Sequence, residues 1–485
     1  MAKLLNNYIY NLAGQILIIL TPLLTTPYIS RVLGADNIGI YSYTLSISIY
    51  FIIIGNLGFP LYGQREIAYS AESQEKINQT FYEIFYGQIL TLGIAFICYI
   101  IFVLLGTSEH RIIYLAQGIG VFASLINIGW LYQGLEEFRI IVVRNLFIKT
   151  FFIICLFIFV RAEQDLLLYT LIINFANLLG NAFIFWGIRK YITVTPSQVS
   201  ISLRGVCRHF KSALILGIPF YITSVYSVLD KTMIGNLTES YAQVGFFEQS
   251  QKIVMLAITI VIALGTVIMP RLSAELGKDH IEKSQKLLND CISIVLLLSM
   301  PIMVGVASIS DNLVPWFFGP GFEEVENLLL VFAPLAVVMG LSNLLGNQYM
   351  VAAKMEKSLG WVMFIGLLLN LFLNFILIPP FMAVGASLST MVAEVTKLGF
   401  FLFILRRTID MRRGIHSFIK YLICSGVMGC GVVFSKNCFF VKPGIFETLM
   451  LTGIGIIYYF IVLFLVKDEL FNACFQKVSN RVKKQ

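Results

Sequence analysis

Residues 25–43 read TTPYISRVLGADNIGIYSY, and the fold turns on how that stretch is understood. It ends a first apolar run that already contains Pro22, adds a second helix-breaker at Pro27, then places Arg31 and Gly34 before apolar character resumes at Ile38. As one continuous helix it carries two residues that lack an N–H and a permanent charge. As two membrane spans joined by a tight glycine turn it is coherent. Arg31 then lies near a membrane surface, and the prolines bend a helix whose freed carbonyls find neighbouring helices or cavity water.

Composition supports the second view. Of 485 residues, 58% are hydrophobic and only 13% are charged, and the mean hydropathy is +0.83. That leaves too little charge to cover a soluble protein of this size. A span needs about 20 apolar residues to cross about 30 Å of hydrocarbon. Fourteen are expected, at roughly 8–33, 37–59, 81–105, 111–134, 141–160, 166–189, 211–236, 241–269, 285–309, 325–352, 358–378, 382–405, 416–436 and 445–466. The class is an all-α integral membrane protein. The first span is expected to be retained, since no small-residue cleavage site follows a short core. The eight cysteines fall mostly inside apolar runs without metal-type spacing, and disulfides are not expected.

Lysine and arginine orient the chain. With the N-terminus cytoplasmic, Arg31, Arg111, Arg161, Lys436 and Lys442 fall on the outer side, and Lys231, Lys252 and Lys397 fall within spans. The other 27 of the 35 basic residues lie in cytoplasmic segments or the adjoining parts of spans, so both termini are expected there. The net charge of +8 is thus explained by topology and attraction to membrane lipids, and no nucleic-acid partner is expected.

The chain also repeats. ISRVLGADNIGIYSYTLS (29–46) resembles LDKTMIGNLTESYAQVGFFEQS (229–250): Arg31 matches Lys231, Gly34 matches Gly235, and Gly39-Ile40-Tyr41 matches Gly245-Phe246-Phe247. LYQGLEEFR (131–139) similarly matches YMVAAKMEK (349–357). Six spans per copy is an even number, so the copies run parallel. The expected organisation is two pseudo-symmetric six-helix lobes, 1–200 and 201–410, with two further helices and a cytoplasmic tail in 411–485.

The opening NYIYNLAGQILIILTPLLTTPYISRVLGADNIGIYSY and the later VLDKTMIGNLTESYAQVGFF resemble bacterial polysaccharide flippases of the Wzx type. These belong to the multidrug/oligosaccharidyl-lipid/polysaccharide exporter superfamily. The resemblance covers essentially the whole chain and says little about the sugar. It implies a flippase in the bacterial cytoplasmic membrane, moving an oligosaccharide linked to undecaprenyl pyrophosphate to the outer leaflet for capsule, exopolysaccharide or O-antigen assembly. A polysaccharide polymerase and chain-length machinery are implied partners.

Such a task needs a hydrophilic cavity between lobes, cations for phosphate and polar groups for sugar. Arg31, Lys231 and Lys252 are candidates for the pyrophosphate. Arg31 and Lys231 also read as surface anchors, and Lys252 reads as an ion-pair partner of Glu248 at i,i+4. Asn174, Asn177 and Asn181 give one polar face to span six, and Asn370 and Asn374 do so in span eleven. These amides face either sugar or neighbouring helices. Asp230, Glu248 and Glu394 are candidates for a coupling ion, with Glu394 alternatively paired to Lys397. Arg65, Glu66 and Arg271, at cytoplasmic helix ends, form a gate or remain surface charge.

The four histidines (110, 209, 280, 416) read as isolated and near loops, and no P-loop, dinucleotide fingerprint or nucleophile elbow occurs. No cofactor, metal or catalytic role is expected. The competing reading is a multidrug or cation antiporter of the same superfamily, which calls for acidic rather than basic cavity residues and usually twelve spans.

Overall fold

The computed structural model describes residues 2–106, 109–199, 201–276, 281–439 and 442–472. Side chains before Leu20, over residues 264–271 and at 203, 219, 273, 276, 281 and 439 lie outside the description. In chain order the helices are α1 (Ala2–Asn56), α2 (Phe59–Ser70), α3 (Gln74–Gly106), α4 (Arg111–Leu125), α5 (Gly129–Gly134), α6 (Phe138–Phe159), α7 (Leu166–Trp186), α8 (Leu203–Thr238) and α9 (Tyr241–Leu276). They continue with α10 (Ile281–Phe317), α11 (Glu324–Phe332), α12 (Leu335–Ser342), α13 (Glu356–Ile404), α14 (Met411–Phe439) and α15 (Ile445–Leu465). In hydrocarbon no water satisfies the backbone, so long apolar runs close their hydrogen bonds internally as helices.

Among the described residues eleven helical stretches are long and apolar enough to cross a membrane, and a bent pair within α8 makes twelve. Two of them, Leu20–Ser70 and Glu356–Ile404, are of double length. Each is divided by one non-helical residue, Gly34 (φ 75°, ψ 173°) and Met382 (φ 52°, ψ −128°). Split there, they bring the span-length segments to the expected fourteen. The opening stretch resolves in the same way. The backbone stays helical through Pro22 and Pro27, and the chain turns at Gly34, in a region of dihedral space that a side chain would exclude. α8 bends by 56° between Arg204–Ile218 and Phe220–Thr238, on either side of Pro219, which cannot donate to the ladder.

The chain forms two compact units, Met1–Gly245 and Phe246–Gln485. In the first, Phe59, Phe81, Trp130 and Ile67 form a core cluster. Trp130 Nε1 donates to Gln88 Oε1 at 2.8 Å, and the Gln88 amide donates to the carbonyls of Ser124 and Asn127 at 3.2 and 3.1 Å. Tyr132 closes on the Ile184 carbonyl at 2.6 Å. The matched glycines of the repeat meet here. A Cβ on Gly39 would lie 1.7 Å from the Tyr241 carbonyl oxygen, and one on Gly245 would lie 2.2 Å from that of Ala35. Each glycine therefore receives the carbonyl four residues before its counterpart, as in close small-residue helix crossings.

In the second unit, Leu296, Met300, Leu345, Phe401, Tyr421 and Tyr459 share a core. The two extra helices, α14 and α15, pack on α10. Ser293 and Ser417 hydroxyls lie 3.0 Å apart, Tyr459 donates to the Leu297 carbonyl at 2.7 Å, and Trp316 Nε1 donates to Thr448 at 2.6 Å.

Candidate functional site

The three asparagines of α7 line one chamber. Its volume is about 320 Å³, and α1, α4, α6 and α7 wall it. The spacing i, i+3, i+7 brings Asn174, Asn177 and Asn181 to one helix face, and that face turns toward α4 and α6. Asn174 is buried, and its amide donates to Gln117 Oε1 at 3.1 Å and to the Thr170 carbonyl at 2.9 Å. Asn181 donates to the Ala123 carbonyl at 2.9 Å. Asn177 is exposed.

Sequence reasoning missed the cations of this chamber. Arg144 of α6 donates through Nη1 to Asn181 Oδ1 at 3.2 Å, and through Nε and Nη2 to Asn145 Oδ1 at 3.0 and 2.8 Å. Lys149, half-buried, and Asn127 complete the polar lining with Ser48 and Ser124. Among the described residues the buried Gln117 amide nitrogen has no hydrogen-bond partner. It lines the chamber, so a polar occupant there would satisfy it. The chamber thus offers amide, hydroxyl, ammonium and guanidinium groups inside spans that are otherwise apolar. That set can bind hydroxylated and anionic groups, and it is costly to keep there without use.

The other candidates lie elsewhere. Arg31 is exposed, three residues before the break at Gly34, and Asp230 is buried beside half-buried Lys231 on α8. Arg65 pairs with its neighbour Glu66 at 3.0 Å and lies over the Tyr62 ring at 5.3 Å. Arg271 is on α9, and its side chain falls outside the described residues. In the second unit Lys252 and Glu248 form an ion pair at 3.1 Å. Glu394 and Lys397, both buried, meet at 2.6 Å. Asn370 and Asn374 are fully buried, Asn374 donating to Asn370 and Asn370 to Thr390, each at 3.3 Å. Those two amides therefore bond within the α13 seam.

One histidine is not isolated as the sequence implied. His209 is buried against Glu83, with Nε2 2.9 Å from Oε2, and against the Tyr62 hydroxyl at 2.7 Å. Its partners are 126 and 147 positions away in the chain, beyond the reach of any local pattern.

Among the described residues, fourteen span-length helical segments in two units, with a polar chamber among apolar spans, define a multi-pass membrane transporter. Residues 4–275, more than half of the chain, match the family model described as "Polysaccharide biosynthesis protein", and residues 244–454 match that of the "Lipid II flippase MurJ". The chain belongs to the polysaccharide biosynthesis protein family. It is similar to the "Putative O-antigen transporter" of Escherichia coli (strain K12), 27% identical over 406 residues covering 81% of this chain and 94% of that one. A protein of the same description from Shigella dysenteriae is 24% identical, covering 78% and 93%. Among solved structures, the lipid II flippase MurJ in an inward closed conformation matches with a TM-score of 0.76 at 16% identity, covering 96% of this chain and 99% of that one. An inward-facing multidrug resistance MATE family transporter of the MOP superfamily matches at 0.61 and 14% identity, covering 83% and 94%. At such identities these likenesses bear on fold alone.

Proposed function

We propose that this protein is a flippase that carries a lipid-linked oligosaccharide across the bacterial cytoplasmic membrane by alternating access, for O-antigen, capsule or exopolysaccharide assembly. The polar chamber carries the proposal. A sugar headgroup must cross hydrocarbon while its polyprenyl tail stays in lipid, and the chamber offers amides for hydroxyls and Arg144 with Lys149 for anionic groups. Family membership and the transporter names of the relatives support the same reading. The moving parts are the lobes 1–200 and 201–410, with 411–485 riding on the second. Packing of α14 and α15 against α10 favours that assignment. The basic asymmetry favours both termini in the cytoplasm. Arg31 and Lys231 serve phosphate capture near the outer surface, and Asp230 tunes Lys231. A polymerase and chain-length machinery consume the flipped product. The protein transports without covalent chemistry of its own.

The test is complementation of a flippase-null strain of matched glycan type, with membrane abundance checked by blot. Wild type restores surface glycan, and Asn177→Leu and Arg144→Leu at normal abundance reduce it. Absence of rescue by wild type, with export of cationic dyes instead, would replace this reading with an antiporter.

A further inference from the structure

Where the first half of α8 meets α2 and α3, a single carboxylate oxygen holds two nitrogen partners, a guanidinium and an imidazole. Arg208 Nη2 donates to Glu83 Oε2 at 2.7 Å, and His209 Nε2 lies 2.9 Å from the same oxygen. The other oxygen accepts from Gln79 at 3.1 Å. Glu83 and His209 are almost wholly buried, their side chains 2% and 5% exposed, whereas the Arg208 side chain is 58% exposed. The charged and titratable groups facing this cluster are Tyr62, Arg65 and Glu66 from α2, Glu83 from α3, and Arg208 from α8 itself.

The Glu83 carboxylate assigns the tautomer: its oxygen is 2.9 Å from His209 Nε2 and outweighs the longer 3.4 Å approach of the Arg208 Nε–H to the same nitrogen. An ionised carboxylate only accepts, so His209 Nε2 carries a hydrogen. In neutral imidazole Nδ1 then accepts from the Tyr62 hydroxyl at 2.7 Å. A second proton would sit on Nδ1, and Tyr62 would turn from donor to acceptor at the same distance. The site therefore holds His209 in either charge state without rearranging heavy atoms. The two states differ in what they do to Arg208, whose Nε is 3.4 Å from His209 Nε2. Imidazolium satisfies Glu83 by itself and repels the guanidinium beside it. Arg208 is the partner able to leave, because its side chain already reaches solvent.

We propose that Glu83, Arg208 and His209 form an exchange site that links capture of a diphosphate-bearing lipid to uptake of one proton. An incoming diphosphate draws the exposed Arg208 off Glu83, and His209 takes a proton from solvent onto Nδ1 to replace the lost charge. Linkage makes the effect reciprocal: protonation of His209 raises the affinity of Arg208 for the anion. The inference rests on the flippase reading and deepens it, by placing proton coupling on residues that sequence reasoning left unassigned.

The experiment is calorimetric titration of the full-length protein in detergent with farnesyl diphosphate, in two buffers of different ionisation heat between pH 6 and 8. The expected results are proton uptake rising toward one per ligand and an affinity about tenfold higher at the acidic end. His209→Gln binds without uptake, and Arg208→Gln binds at least about tenfold more weakly. Inorganic pyrophosphate is the second probe. Equal linkage assigns recognition to the diphosphate alone, and weaker linkage assigns a share to the lipid tail. Nitrogen NMR of the histidines in wild type needs no variant: one imidazole midpoint moves up when farnesyl diphosphate is bound. Binding without proton uptake, uptake that survives His209→Gln, or no binding at all overturns the exchange site. If complementation succeeds while linkage is absent, the exchange site fails and the flippase stands. If linkage is present and complementation fails, the flippase reading falls instead.

Discussion

Alanine at Gly39 is the sharpest test of the crossing between α1 and the start of α9. Its Cβ would lie 1.7 Å from the Tyr241 carbonyl oxygen and 2.5 Å from the carbonyl carbon. Contacts under 3.0 Å essentially never occur, so the two backbones must part by about 1.3 Å. The obstacle is main chain and cannot rotate away. Overpacking of this kind costs about 1–3 kcal/mol, at the upper end where backbone must move. Gly245→Ala meets Ala35 at 2.2 Å and needs about 0.8 Å, so it should cost less. The double variant should cost less than the two singles together, because one separation accommodates both methyls. Gly305→Ala on α10 has nothing within 4 Å and is the control, expected to gain up to about 1 kcal/mol from helix propensity. The assay is thermal stability of purified protein in one detergent, with size-exclusion profiles. A Gly39→Ala protein as stable as the Gly305→Ala control would refute the crossing.

Other outcomes follow from the same geometry. Glu394→Gln removes the carboxylate that the buried Lys397 ammonium meets at 2.6 Å and should destabilise by about 3–5 kcal/mol. Adding Lys397→Met should recover most of that and keep transport, and a stable double variant without transport would assign coupling to Glu394. Burial raises the Asp468 carboxyl, but Lys420, the Phe471 N–H and the Tyr421 hydroxyl outweigh it and hold the group below its usual range. A lowered folded value contributes stability above the unfolded value of about 3.9, lost as pH falls through the folded one. Melting curves of wild type and Asp468→Asn should therefore differ at pH 6 and converge below about pH 4. Asn177→Leu should leave melting unchanged and reduce surface glycan, since Asn177 is an exposed wall of the chamber.

The spans and the turn at Gly34 were legible because hydropathy and glycine act locally. The face of Asn174, Asn177 and Asn181 was legible for the same reason, since three amides at helical spacing in an apolar run share a side. Arg144 and Lys149 were read as cytoplasmic charge, because the start of a span is where such charge belongs. Only the packing of α6 against α7 turns them toward the asparagines. The Glu83–His209 pairing had no sequence signal. Each residue alone is a polar group at a helix end, and tertiary folding brings them together. Asn370 and Asn374 show the converse: their spacing matched the asparagines of α7, yet they bond to each other and to Thr390.

The most direct measurement is flipping itself, with purified protein in liposomes and a fluorescent polyprenyl-diphosphate oligosaccharide whose headgroup is reached by a glycosidase added outside. Wild type should make the inner-leaflet pool accessible within the assay, and Arg144→Leu should slow that at least about tenfold, the loss of one charge-assisted contact. An accessible fraction no greater than in protein-free liposomes would contradict the account.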